Sequence, residues 1–207
     1  MPLLGSPALT FDEVDDLLYF TRVNEVEELN QTITELTQKY NCSQRDVLHA
    51  AVDPDSGNTI LHYCSANGFV ELLKTLLTTL GSANASGEAQ SGKQPDHNLI
   101  NSTNKEGNTP LHWAAYNGQL EVVKSLVSAG ADMWTKNTAG HLAMFEAERA
   151  EKNEVVQYLL EAGGDQVDNA AAQASADVDA AEVAEIAESS PDVGSGDVTM
   201  SESRQDG

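Results

Sequence analysis

Three kinds of residue in this chain could do chemistry, and each stands or falls by its spacing. The segment GEAQSGKQ, Gly87–Gln94, has the G-x4-G-K outline of a phosphate-binding loop, in which backbone N–H groups cradle phosphates and a lysine reaches them. Its surroundings do not fit: Gln94 stands where a hydroxyl would hold magnesium, no apolar strand leads into Gly87, and Pro95 interrupts any helix after Lys93. A loose loop is expected there, without a nucleotide. The five histidines could be bases or metal ligands, but His49, His97 and His141 are scattered, and none of the five has a ligand spacing with cysteine or carboxylate partners. No metal site is expected. Serine, histidine and aspartate are plentiful, yet nothing resembles a nucleophile elbow or a paired acid and base on a rigid scaffold. The sequence is therefore read as that of a non-enzyme without cofactor, and Cys42 and Cys64 as buried thiols rather than a disulfide.

What remains is recognition, and charge narrows the partner. Against 33 acidic residues stand 11 basic ones, for a formal net charge of −22. Such a field repels phosphate backbones and attracts cationic proteins. Nucleic acid is excluded as a partner, and a basic protein is favoured. The opening MPLLGSPALTF has no basic n-region and only a short apolar run, and no segment approaches the roughly 18 apolar residues of a membrane span. An intracellular, soluble chain is expected, in which the sequons at Asn30, Asn84 and Asn101 carry no glycan.

The elements that would position a binding surface are written as a repeat. GNTILHYCSANG, 57–68, returns as GNTPLHWAAYNG, 107–118, at an offset of 50 residues. Gly140 lies 33 residues after Gly107, and at that offset Leu111 falls on Met144, Ala114 on Ala147, Leu126 on Leu159 and Gly130 on Gly163. Within each unit the chemistry is that of two short helices. Thr109 caps the first, Pro110 suits its first position, and Asn117-Gly118 supplies the left-handed turn that ends it. QLEVVKSLVSAG then sets Leu120, Val123, Leu126 and Val127 on one stripe, with Gly130 closing the second helix. VELLKTLLTTLG and NEVVQYLLEAGG repeat that second helix, and none can bury its stripe alone.

At the margins the phrase degrades. DLLYFTRVNEVEELNQTITEL, aligned 44 residues before the second unit, puts Leu17 under Leu61, Phe20 under Cys64, Val26 under Val70, Leu29 under Leu73 and Ile33 under Leu77. It reads as an acidic N-terminal cap. In the last unit Leu142, Ala143, Phe145 and Glu151 replace the expected Thr, Pro, His and Gly, which leaves its turn geometry open. The 50-residue offset exceeds 33 by 17, and the excess falls in a Gly/Ser/Asn/Gln stretch. The reading is thus a flexible N-terminus, 1–11, an all-α array of about four helix pairs, 12–165, with a flexible insertion at 82–98, and an acidic disordered tail, 166–207. After Gly163 the chain holds eleven acidic residues, one basic residue and no aromatic.

A 33-residue period carrying T-P-L-H-x-A at Thr109–Ala114 is similar to the ankyrin-repeat family. The resemblance implies a solenoid of stacked helix pairs, and a histidine at positions 62 and 112 that bonds backbone across the turn between repeats. It also implies that recognition is carried by the tips of the turns and by the helix positions just before the closing glycine. Carried onto this chain, the tips are Asp55, Ser56 and Asn58, then Lys105, Glu106 and Asn108. The helix positions are Ala66, Asn67, Tyr116 and Asn117. Tyr63, Trp113 and Glu146 correspond to one another in successive repeats, and Trp113 can serve packing, a binding hot spot, or both. Tyr116 and Trp113 are read as apolar anchors within a ring of Asp55, Glu106, Glu146 and Glu148, and Trp134 as packing against the fourth repeat.

Within that family the layout resembles the small eukaryotic chaperones dedicated to the KH-domain ribosomal protein S three. The acidic helix pair at the N-terminus, the insertion before NKEGNTPLHWAAYNGQLEVVK, the last repeat reading GHLAMFEAE and the acidic tail carry the likeness. It implies capture of a new, basic ribosomal protein, shielding of its RNA-binding surface and escort from cytoplasm to nucleus; a monomer is expected. A regulatory inhibitor of a folded signalling protein, or a scaffold subunit, would share the repeats but has no need of such charge.

Overall fold

The computed structural model describes residues 7–81 and 97–164 of the chain. The acidic tail and most of the insertion, including the loop with the phosphate-binding outline, lie outside the described residues. Two helices open the array, α1 (Phe11–Val23) and α2 (Val26–Tyr40). Thr10 caps α1 in a capping box with Glu13, so the array starts one residue earlier than expected. Asn24 and Asn41 end the two helices at φ of 60° and 49°, a left-handed cap that asparagine tolerates better than most residues.

α3 (Gln44–Ala50) was not foreseen from the periodicity. The first two repeats are offset by 44 residues rather than 33, and this short helix fills the surplus, lying against both α2 and α5. Its signal was present in the sequence, since Ser43 and Asp46 form the capping box that starts it. Val47 and Leu48 are buried beneath it.

α4 (Ile60–Asn67) and α5 (Val70–Gly81) form the next pair, followed by α6 (His97–Ile100), α7 (Pro110–Asn117) and α8 (Leu120–Ser128). α9 (Ala143–Arg149) and α10, residues 153–164, complete the described array. α6 takes the last two residues of the expected insertion into a helical turn that buries Leu99 and Ile100. α1, α4, α7 and α9 stack side by side in one row, while α5 and α8 pack in a second. Between Val52 and Thr59 one isolated antiparallel bridge closes a turn, and among the described residues no longer strand occurs.

Leucine and valine from both rows form one continuous core. Burying a side chain such as Leu73 or Leu126 stabilises the fold by about 1.5–3 kcal/mol, so each repeat depends on its neighbours. α8 departs from the expected stripe: Val122 is buried together with Val123 and Leu126, whereas Leu120 and Val127 are only partly covered. A helix flanked by neighbours on two sides buries more than one stripe. Cys64 is buried, and its burial pushes the thiol up to about 12; Cys42 is half-buried and also free. None of the described helices is long and apolar enough to cross a membrane.

The substituted last repeat keeps its turn. Where Gly118 adopts φ 76° after α7, Glu151 adopts φ 58° after α9. A side chain in this region costs roughly 1–2 kcal/mol, which the surrounding hydrogen bonds must offset. Glu151→Gly is therefore expected to stabilise the chain by about 1 kcal/mol, raising its thermal midpoint by roughly 2–4 °C, as read by circular dichroism. An unchanged or lower midpoint would count against strain at this turn.

Candidate functional site

The first row of helices and the turns that project beside it hold the residues singled out above. Each turn is built on one polar side chain at its base. Asn104 Oδ1 accepts from the backbone N–H of Glu106 and Asn108 at 3.0 and 2.9 Å, and Asn137 Oδ1 does the same for Ala139 and His141 at 3.1 and 2.9 Å. Asp53 takes this role in the preceding turn through Asp55 and Ser56 N–H. Burial works to raise the Asp53 carboxyl, but the Tyr63 hydroxyl, donating at 2.5 Å, and these amide bonds bring it down to about 2.

The turns are stitched to one another as well. Asn104 Nδ2 donates to Asn58 Oδ1 and Asn137 Nδ2 to Asn108 Oδ1, each at 2.9 Å. Lys105 N–H donates to the Ser56 carbonyl and Thr138 N–H to that of Glu106. Asn58 is buried and spends its side chain on this ladder, which corrects its reading as an exposed tip. Asn108 is half-buried and joins the same ladder, though it still borders the groove described below.

Two histidines tie the turns to the helices. His62 Nδ1 accepts from the Thr59 N–H at 3.1 Å while its Nε2 donates to the Asn108 carbonyl at 2.8 Å. His112 repeats the arrangement with Thr109 and, at 3.0 Å, with the carbonyl of His141. Both rings cross from one repeat to the next, as the resemblance implied. Only the neutral Nε2–H form satisfies both contacts, because a proton on Nδ1 would face another N–H.

Between the turns and α7 and α9 opens a groove of about 350 Å³. Glu106, Asn108, Trp113, Tyr116 and Glu146 border it, so five of the residues chosen from the sequence do converge. Tyr116 stands 46% exposed at its edge, and Phe145, 43% exposed, tilts over His141 at a centroid distance of 4.3 Å. Trp113 is half-buried, and its Nε1 is closed off from solvent with no acceptor among the described residues.

Glu146 does not stand in an exposed ring of acids. It is 6% exposed, with Oε1 bonded to Asn137 and His141 at 3.1 and 2.9 Å and Oε2 to Arg149 at 2.7 Å. Burial alone would raise its carboxyl; the donors from His141, Asn137 and Arg149 outweigh it and hold the group below the usual range. Glu148 is exposed but does not line the groove, and Asp55 borders a separate hollow of about 130 Å³ among Phe11, Asp15, Leu18 and Arg22. The supposed single ring is thus three places, with Glu106 and Glu146 at the groove, Asp55 at the hollow and Glu148 at neither. Asn67 and Asn117 are exposed and cap their own helices, donating to the carbonyls of Tyr63 and Trp113. Lys105 reaches back to the Pro54 carbonyl at 2.9 Å. Trp134 lies beside Gly163 of the fourth repeat but is 53% exposed, so its packing there is partial.

Sequence reasoning passed over Asn137, His141 and Arg149, which border the groove, and Phe145, whose ring lies against His141. The recurrence of Asn104 at Asn137, one period on, was the available signal for the first. Among the described residues no cluster of His, Cys, Asp and Glu is arranged to hold a metal ion. The arrangement offers aromatic faces, carboxylates and turn edges, which are means of binding a protein surface.

Stacked helix pairs, left-handed glycine caps and histidine-bridged turns define a class, and the family description "Ankyrin repeats (3 copies)" matches residues 27–137 and 95–171. The chain belongs to the ankyrin-repeat family. It is 34% identical over 158 residues to the ankyrin repeat-containing protein YAR1 of Saccharomyces cerevisiae, covering 76% of this chain and 72% of that protein. Among solved structures, it matches a chain from the crystal structure of the yeast ribosomal protein Rps3 in complex with its chaperone Yar1. The match has a TM-score of 0.63 and 32% identity, and covers 74% of this chain and 94% of that one.

Proposed function

We propose that this chain is a dedicated chaperone of the ribosomal protein that corresponds to Rps3. The observation that carries the reading is the likeness to the chaperone complex, which extends over 94% of the matched chain at 32% identity. Charge supports it independently. A protein made to bind ribosomal RNA is cationic, and a chain of net charge −22 can cover that surface until the RNA competes for it. The chain acts by binding rather than by catalysis, accompanying its client from cytoplasm to nucleus.

Mixing the purified chain with purified Rps3 is expected to give a complex on size exclusion and to keep Rps3 soluble at low salt. Its formation is expected to weaken steeply with added salt. If Rps3 aggregates equally with and without the chain, and no complex elutes, the assignment fails.

A further inference from the structure

Two arginines of the array rest on tyrosine rings of a neighbouring helix, and each is paired with a carboxylate. Arg149 of α9 brings its Cζ to 5.9 Å from the Tyr116 ring centroid and its Nη2 to 2.7 Å from Glu146 Oε2. Arg22 of α1 lies 4.5 Å from the Tyr63 centroid, with Nη2 3.9 Å from Asp53 Oδ2. The Arg149 and Arg22 side chains are 59% and 39% exposed and their partners Glu146 and Asp53 8% and 17%, so in each pair the arginine is the open member and the carboxylate the covered one. A ring face beside a carboxylate is the chemistry that recognises a cationic side chain. In the groove, that chemistry is satisfied by the chain's own arginine.

We propose that the Tyr116–Glu146 end of the groove is a seat for an arginine or lysine side chain of the bound protein, and that Arg149 is an internal stand-in displaced when the seat is filled. The proposal rests on the reading of this chain as the binder of a basic protein, and names the side chain that the groove selects. Arg149 is the open partner and Glu146 the buried one, so Arg149 leaves without stranding a buried charge when the guest cation takes over its bond to Oε2, while His141 and Asn137 keep Oε1. Room beside it is available, since the groove of about 350 Å³ also carries the Trp113 ring and the exposed Glu106. The occupant follows from charge: a segment rich in arginine or lysine complements an acidic, aromatic groove, whereas an acidic or apolar one leaves Glu106 unanswered.

The sign of one substitution decides between this and the opposite role for Arg149. Were Arg149 itself a contact to an acceptor on the client, its removal would weaken binding; as a stand-in, its removal strengthens it. Titration calorimetry with Rps3 and with an acetylated, amidated hexa-arginine peptide at low salt would compare wild type, Arg149→Met, Tyr116→Leu and Lys74→Met. The last removes the same charge from α5 in the second row and so reports the general electrostatic gain. Arg149→Met is expected to bind both cationic probes about three- to tenfold tighter than wild type and clearly tighter than Lys74→Met. Adding Tyr116→Leu to Arg149→Met should abolish that gain. Equal gains for Arg149→Met and Lys74→Met, or weaker binding by Arg149→Met, overturn the seat. Rps3 binding normally with no Arg149→Met gain on hexa-arginine removes the seat and spares the client; the gain on hexa-arginine without Rps3 binding does the reverse. Arg149→Lys, with thermal midpoints alongside, keeps an internal cation and is expected to match wild type.

Discussion

Stability measured by denaturant unfolding is expected to fall as pH drops from about 6.5 to 4, beginning before the carboxylates titrate. The cause is the buried histidine bridge. Burial lowers His62 from 6.5 to about 4, outweighing the opposing pull of the Asn108 carbonyl. In this window the unfolded chain binds a proton on His62 that the folded chain excludes, so each step down in pH favours unfolding. Above about 6.5 both states are neutral and the contribution is fully present; below about 4 both are protonated and the loss is complete. A shift of this size corresponds to about 3 kcal/mol, a large share of the roughly 5–15 kcal/mol that holds a typical domain together. His112 is lowered for the same reason, burial, and adds to the slope in the same direction. Glu13 and Asp53, both held at about 2 against ordinary values of 4.5 and 3.8, add their own loss from about pH 5 downward, so the stretch from 6.5 to 5 isolates the histidines. His62→Gln is expected to be less stable at pH 7.5 but to decline less steeply between pH 6.5 and 4. A wild-type stability level across that range would refute the bridge as a buried neutral group.

Tyr116→Ala is expected to weaken binding of Rps3 by about 10- to 30-fold, nearly all of it through faster dissociation, because an aromatic anchor truncated at an interface costs about 2 kcal/mol. Its thermal midpoint should hardly move, since the ring is 46% exposed in the free chain. Charge acts on the other rate. Glu106 and Glu148 are both exposed, and reversing them together, Glu106→Lys with Glu148→Lys, is expected to slow association several-fold at low salt and to flatten its salt dependence. Stopped-flow association and dissociation at two ionic strengths would separate the two effects. An unaltered dissociation rate for Tyr116→Ala would remove it from the interface, and an unaltered salt slope for the double reversal would make these acids bystanders to steering.

How much of this was legible beforehand depends on how far apart the interacting residues lie. Helix pairs, their caps and the row of Leu17, Leu61 and Leu111 follow from periodicity and turn chemistry acting within a few residues, and these are written locally. The His62 and His112 bridges are legible only through the resemblance to the ankyrin family, because each ring finds its acceptor in the next repeat, 46 and 29 residues away. α3 was missed where only an 11-residue surplus marked it, although Ser43 and Asp46 carried its capping signal.

The acidic and polar residues of the groove are the other case. Glu106, Glu146 and Glu148 look alike in sequence, yet one borders the groove in the open, one is buried under three donors, and one points elsewhere on the surface. Asn58 and Asn108 read as turn tips and proved to be rungs between turns. Sequence by itself determined the repeat, its helices and the sign of the charge, because periodicity, caps and composition are properties of neighbouring residues or of the whole sum. Only the tertiary structure decided which charges are free to meet a partner, because the burial of a carboxylate depends on donors brought by the next repeat, and no local pattern records their arrival.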